Sequence, residues 1–441
     1  MFRTMRNAWA TPELRKKLLY TLLIIVIFRF GCAVPVPFLD ASALANMVSG
    51  GNIFSYLDML SGGALSKGTI FALSIQPYIN ASIIVQLLTY ALPPLENLQK
   101  EGEEGRKKLQ KITSFVALAI SLVMSYAYYL TMRNQGAVQY VRTSGASLFE
   151  EIFCAIVIIA VFTAGSNLIV FLGNLVNENG IGNGISIILF AGIVARGPSD
   201  IMAMFALAET DKNYIFTATA VLIIYVLMIA FIVLMNNAER RIPIQYAKRI
   251  VGRKQYGGQN THIPVKIAMS GVMPIIFAMA FMSIPQTIEM FVPRPTGDMA
   301  AWTFGQKFYN GFLNFFSYRS GWYAVIYFIL IIAFNYFYVS MMYNPIEIAN
   351  NLRQSNGGIP GIRPGKPTSD FIQRVLSKIT LIGAVCLGII AVFPIVFNMF
   401  VPEMNISMGG TSILIIVSVA LETVRTMESQ MMMRHHKGFL E

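Results

Sequence analysis

This sequence is poor in charge. Asp, Glu, Lys and Arg together make up 13% of its 441 residues, about half of the roughly 25% usual in a soluble domain. An ordinary water-soluble globule is excluded. Acids are the scarcer sign, 22 against 34 Lys and Arg, and the long apolar runs hold almost none. Glu289 lies at the end of one run and Glu422 near the end of another. Intramembrane chemistry by paired carboxylates therefore lacks its side chains, as do the Asp, Glu or His relays of proton-coupled transporters.

Histidine and cysteine number three each. His262, His435 and His436 fall in polar stretches and make no HExxH pattern. Cys32, Cys154 and Cys386 lie in or beside apolar runs at unrelated spacings, which reads as buried thiols and not as a disulfide framework or metal set. Two strings imitate nucleotide loops. "GIGNG" (180–184) has no strand before it. "GIRPGKPT" (361–368) has Pro360 where a phosphate loop needs glycine, and Pro367 separates Lys366 from Thr368. No catalytic residue, metal or cofactor is expected. The protein is not an enzyme, and any work it does draws on a partner or a gradient.

What is present is apolar length. Hydrophobic residues make up 55% of the chain and mean hydropathy is +0.59. Runs long enough to cross a bilayer core of about 30 Å lie near 18–38, 73–93, 112–131, 152–176, 181–195, 214–235, 266–288, 321–343, 377–400 and 408–424. The fifth is short; the second and seventh are polar for lipid-facing helices. Such spans must be covered by protein or line a wet cavity, because lipid satisfies no polar group. The expected class is an all-α integral membrane protein with ten transmembrane helices and a special interior.

The apolar run after "ELRKK" exceeds a signal-peptide core and ends in "AVPVPF" without a small-residue cleavage pattern, so it is read as a retained first span. Thr11 can cap a helix starting at Pro12, and Phe2, Met5 and Trp9 can rest on the membrane surface. Basic residues orient the spans. With the amino end inside, 25 Lys and Arg fall in inner segments and eight in outer ones, with Arg29 inside the first span. Positive loops stay cytoplasmic, which places both termini there. The net charge of +12 is thus largely a property of one face, serving topology or a docking surface for an anionic partner. Arg29, costly in a span, is expected to pair within the protein near the outer side.

Four stretches carry a family resemblance: "SGGALSKGTIFALSIQPYINASIIVQLLTYALPP" (61–94), "ENGIGNGISIILFAGIVA" (178–195), "ERRIPIQYAKRIVGRKQYGGQNTHIPVKI" (239–267) and "GGIPGIRPGKPT" (357–368). In this order among ten spans, the chain resembles the SecY family, the central channel subunits of the bacterial Sec protein translocase, essentially from end to end. The resemblance implies two inverted five-helix halves around a central pore. The first, 18–200, follows a cytoplasmic segment 1–17; the second, 201–424, carries docking loops 238–265 and 344–376 and is followed by a cytoplasmic tail 425–441. It implies a re-entrant plug half-helix over 61–72, with Gly62, Gly63, Ala64, Leu65, Ser66, Lys67 and Gly68 at its heart. It also implies a pore ring of Ile79, Ile83, Ile185, Leu189, Ile276 and Ile415.

Helices two and three would part from seven and eight as a lateral gate, releasing apolar segments into lipid. The loops would dock the SecA ATPase or the ribosome through Arg240, Arg241, Lys248, Arg249, Arg253, Lys254 and Arg363. SecE-type and SecG-type subunits, signal peptides, nascent chains and membrane lipids are the other implied partners. The implied function is to conduct unfolded secretory polypeptides across the bacterial cytoplasmic (inner) membrane. Two other classes fit parts of the sequence: a secondary transporter, which would need a specific polar site at mid-membrane, and a non-conducting scaffold.

Overall fold

The computed structural model describes residues 6, 8–49, 58, 61–138, 148–210, 212–246, 249–251, 254–256, 260–292, 294, 303–317, 320–400 and 410–437. A helix overlaps each of the ten apolar runs. In chain order the helices are α1 (Pro12–Gly31), α2 (Ala41–Ser49), α3 (Gln76–Ala91), α4 (Pro93–Lys100), α5 (Glu103–Asn134), α6 (Leu148–Asn179), α7 (Gly184–Thr210) and α8 (Lys212–Asn237). After a stretch of strands come α9 (Met273–Met282), α10 (Ile284–Phe291), α11 (Phe304–Phe315), α12 (Gly321–Met342), α13 (Pro345–Gln354), α14 (Lys366–Phe400) and α15 (Gly410–Lys437).

Among the described residues, seven helices are long and apolar enough to cross a membrane, or eight if α3 and α4, bent by 100°, count as one. This is a multi-pass membrane protein. Three of the ten expected spans fall short for local reasons. In α1, Arg15, Lys16, Lys17 and Arg29 share the helix with the apolar residues. In α3, sixteen residues are followed by the Pro93–Pro94 bend. In α7, the apolar part is only Gly184–Ser199. The seventh run is two helices, because Pro285 ends the hydrogen-bond ladder of α9 and opens α10. Helix α1 begins at Pro12 as expected, but the Thr11 side chain makes no capping bond; its carbonyl joins the helix, accepting from Arg15 N at 2.9 Å.

Besides an apolar centre around Met132 of α5 and Phe162 of α6, helix packing forms two that meet at α15. Ile24, Phe28, Ile169, Ile188 and Val419 lie in one, drawn from α1, α6, α7 and α15. Ile232, Ile275, Tyr327, Leu387 and Leu414 lie in the other, drawn from α8, α9, α12, α14 and α15. Helix α15 serves both. Buried Asn335 ties the second together: its Nδ2 donates to Thr380 O at 2.9 Å and its Oδ1 accepts from Ser270. Large exposed side chains such as Val26, Phe115, Ile156 and Val226 cover the outside, where lipid takes the place of a second packing layer.

The strands are β1 (Glu239–Tyr246), β2 (Arg249–Val251), β3 (Lys254–Tyr256), β4 (Asn260–Lys266) and β5 (Gly357–Gly358). Strand β1 pairs antiparallel with β4, register Ile242↔Ile263, and with β5, register Tyr246↔Gly357. The alternation of "RIPIQ" reads as extended chain, and in the strand Ile242 and Ile244 turn inward and Arg241, Pro243 and Gln245 outward. Their inward faces meet Leu352, Ile359, Ile372, Val375 and Leu376 in a separate core. The two loops read separately in the sequence are one unit, seated on the start of α14.

Candidate functional site

The stretch 61–75 folds as a chain of turns, not as the expected half-helix. Positive φ at Gly62 (+69°), Gly63 (+84°) and Gly68 (+58°), and at Ser74 (51°), interrupts any helical run. Although irregular, the stretch is buried: Ser61, Ala64, Leu65, Thr69, Phe71 and Ile75 each expose 2% or less. Its backbone is bonded outward as well as internally. Val36 N donates to Gly68 O at 2.8 Å and Ile70 N to Val34 O at 3.1 Å. Arg29 Nη1 donates to Gly62 O at 3.2 Å, the internal partner expected for that arginine.

Glycines in the surrounding helices make the room. A Cβ on Gly31 of α1 would stand 2.0 Å from the Phe71 ring, and one on Gly165 of α6 would stand 2.1 Å from Ile70 O. Phe71 stacks on Phe28 of α1 at 5.8 Å. The segment also has a charged anchor that the sequence reading passed over. Asp58, 1% exposed, accepts Ser66 N on Oδ1 at 2.7 Å and pairs through Oδ2 with Arg196 of α7. The available signal was a lone acid in the apolar string "YLDML", since a buried carboxylate needs a partner.

Of the six expected ring residues, Ile79, Ile185, Leu189 and Ile415 share one apolar cluster with Ala64, Phe71 and Ile75. Ile83 is buried on α3 and Ile276 half-buried on α9, and neither belongs to that cluster. The neighbour of Ile276, Ile275, is fully buried in the other apolar centre. Gly62, Gly63 and Ser66 are half-buried, Ala64, Leu65 and Gly68 buried, and Lys67 exposed.

A seam runs where α3 and α5 meet α9 and α10. Tyr126 meets Phe291 at 6.4 Å, and Tyr90 of α3 meets Phe337 of α12 edge-on at 5.7 Å. The amides carried by α3 and α10 are half-served. Gln86 Nε2 donates to Ser82 Oγ at 3.1 Å and Gln286 Nε2 to Phe316 O at 3.3 Å, whereas Asn80 Oδ1, Gln86 Oε1 and Gln286 Oε1 are buried without a partner. Each such orphan costs about 1–3 kcal/mol.

The turn between α6 and α7 explains "GIGNG" without a nucleotide. Asn183 Oδ1 accepts Ile185 N at 3.1 Å at the start of α7, Asn177 Oδ1 accepts Gly184 N at 2.7 Å, and a Cβ on Gly184 would strike Gly173 O at 2.0 Å. Of the basic loop residues, Arg240, Arg241 and Arg363 are exposed. Arg241 Nε donates to Glu239 Oε1 at 2.8 Å. Arg249 lies in β2 and Lys254 in β3, and Lys248 and Arg253 lie outside the described residues. Cys32 and Cys154 are buried, Cys386 is half-buried, and all three are free thiols.

The SecY family model matches residues 69–424. A protein translocase subunit SecY of Mycobacterium bovis is 39% identical over 447 residues, covering 98% of both chains. Two solved structures share the fold. One is a SecY protein whose plug domain stabilises the closed state of its translocation channel, with a TM-score of 0.62 and 18% identity over 94% of this chain and 92% of that one. The other is Sec61 in a canine ribosome–channel complex, with a TM-score of 0.58 and 17% identity over the same shares. A buried turn segment among apolar helices, a half-satisfied seam and a projecting basic sheet thus occur in a chain that belongs to the SecY family.

Proposed function

We propose that the protein is the central subunit of a protein-conducting channel of the bacterial cytoplasmic membrane, passing unfolded secretory polypeptides across and releasing apolar segments sideways. The observation that carries this reading is the shared cluster of Ala64, Phe71 and Ile75 with Ile79, Ile185, Leu189 and Ile415. A turn segment enters the bundle and its apolar side chains fill the place where aliphatic residues of α3, α7 and α15 converge. In this reading 61–75 is the plug, and those residues with Ile83 and Ile276 are the ring. Aliphatic tips offer passing ions no hydrogen bonds, so a narrow ring of them dewets and blocks conduction.

Ten spans in two inverted halves, 18–200 and 201–424, complete the reading, with α1, α3 and α7 counted as spans beside the seven that are long and apolar enough. Both termini are then cytoplasmic. The seam of α3 and α5 against α9 and α10 is the lateral gate. A segment exposed there partitions by composition: each Leu or Ile gains about 0.3–0.6 kcal/mol in the membrane, and one central Lys, Arg or Asp costs about 2.5–3.5. The β4–β1–β5 unit presents Arg240, Arg241 and Arg363 to SecA or to the ribosome, with Lys248, Arg249, Arg253 and Lys254 as further contacts. Charge-assisted bonds from guanidinium to phosphate or carboxylate suit either partner. SecE-type and SecG-type subunits complete the assembly.

The test is planar-bilayer conductance of the assembled channel, intact and lacking residues 61–70. Near silence in the intact channel and large flickering openings after deletion are expected. Silence in both, with the deleted chain folded, overturns the assignment of 61–75 and favours a solute transporter.

A further inference from the structure

Asp58 is the most deeply buried acid among the described residues, and its bonds divide into those that would travel with the segment and one that would not. Its carbonyl accepts Gly63 N at 2.8 Å and Ser61 Oγ at 2.9 Å, its Oδ1 accepts Ser66 N at 2.7 Å, and its Oδ2 holds Arg196. The first three knit the turns into one body; the fourth fastens that body to α7. Beside it, Gly62 lies so close to α7 that a Cβ there would stand 3.0 Å from Gly192 Cα.

Spacing along α7 adds the second observation. Ile185, Leu189, Gly192 and Arg196 follow one another at intervals of four, three and four residues, which sets them on one helix face. That face carries two members of the aliphatic cluster, the glycine against Gly62 and the arginine on Asp58. The same stripe therefore touches the segment from its apolar core to its charged anchor.

We propose that the Asp58–Arg196 pair is an electrostatic latch that fixes the register of segment 61–75 on α7 and sets how readily the segment leaves. The inference rests on reading that segment as the seal of the channel. An apolar anchor would hold almost equally well one turn away, whereas a buried carboxylate and guanidinium match in one position only and must rehydrate when parted. Arg29, on the Gly62 carbonyl, supports the same seat from α1.

The test uses the full chain assembled with its partner subunits. Conductance is measured for Asp58→Asn, Arg196→Gln, the exchange Asp58→Arg with Arg196→Asp, and the 61–70 deletion. Each single neutralisation is expected to raise the open fraction at least about tenfold, since breaking one side of a buried pair strands the other charge. The exchange should bring it back toward the intact value. As an independent readout, Ala64→Cys in a Cys32→Ser background should react with an impermeant maleimide faster once Asp58 is neutralised, because Ala64 is fully buried in the seated segment. A conducting deletion with silent single variants overturns the latch and leaves the seal standing. A silent deletion removes the seal and the latch with it. Conducting single variants with unchanged Ala64→Cys labelling place the leak elsewhere and also overturn the latch.

Discussion

Segment 61–75 and the seam of α3 and α5 with α9 and α10 are both polar for their depth, yet they treat polar groups in opposite ways. In the segment, the Ser61 and Thr69 hydroxyls, the Asp58 carboxylate and several backbone amides have named partners, and glycines on α1 and α6 clear the space it occupies. On the seam helices α3 and α10, three amide oxygens are buried without one. The segment gains from staying where it is. The seam pays a standing cost for being closed, which separated helices recover as soon as water or a passing peptide supplies a donor. In the proposed reading, the contrast puts firmness at the seal and readiness at the side opening.

The strongest way to break this comparison is to crowd the segment's seat. Gly165→Ala puts a methyl 2.1 Å from Ile70 O, and backbone cannot step aside as a side chain can. A loss of about 3 kcal/mol is expected, seen as a lower thermal midpoint in detergent together with ion leak. Gly311→Ala in α11, with nothing within 4 Å, is the matched substitution that should leave both unchanged or gain slightly. Equal behaviour of the two would show that the seat is not tight.

Ile242→Ala probes whether the basic sheet stands apart from the bundle. Its core is separate, so about 2–4 kcal/mol should be lost locally, as faster proteolysis between 239 and 266 and weaker partner association, with conductance still silent. A leak would show that the sheet and the seal are one mechanical unit.

A smaller effect sharpens the seam. Gln286→Leu removes a buried oxygen that has no partner but also the Nε2 bond to Phe316 O, so it should steady the closed seam by no more than about 1 kcal/mol. Weakly apolar reporter segments would then be released into lipid less often, while strongly apolar ones are unaffected. Easier release would reverse the assignment of cost to the closed state. The smallest change is expected from Arg241→Ala. Its exposed pair with Glu239 is worth at most about 1 kcal/mol of stability, but partner association should slow, and most visibly at low salt. An association rate independent of salt would count against electrostatic docking through this face.

Much of the scaffold was legible in the residues. Apolar length placed the helices, Pro12 marked a start, and the alternation around Ile242 and Ile244 marked extended chain. The seventh run was harder: Pro285 was visible, but hydropathy averages over a break of one residue and returned a single span. The half-helix expected at 61–72 failed for a related reason. Three glycines there take positive φ, and the stretch is bonded to Arg29, Val34 and Val36, which are remote in sequence. Arg196 could be counted as an outer charge yet not paired, because its partner lies 138 positions away.

What the sequence determined by itself is the class of protein and the position of its helices, because transfer of apolar length out of water and the backbone limits of proline and glycine act over a few residues at a time. What only the tertiary structure decided is where the polar remainder goes. The joining of the 240s and 350s in one sheet, the clearance at Gly31 and Gly165, the pairing of Asp58 with Arg196 and the orphan oxygens of the seam all depend on which helices become neighbours. Hydrogen bonds and ion pairs form over about 3 Å, a distance that spacing along the chain does not encode.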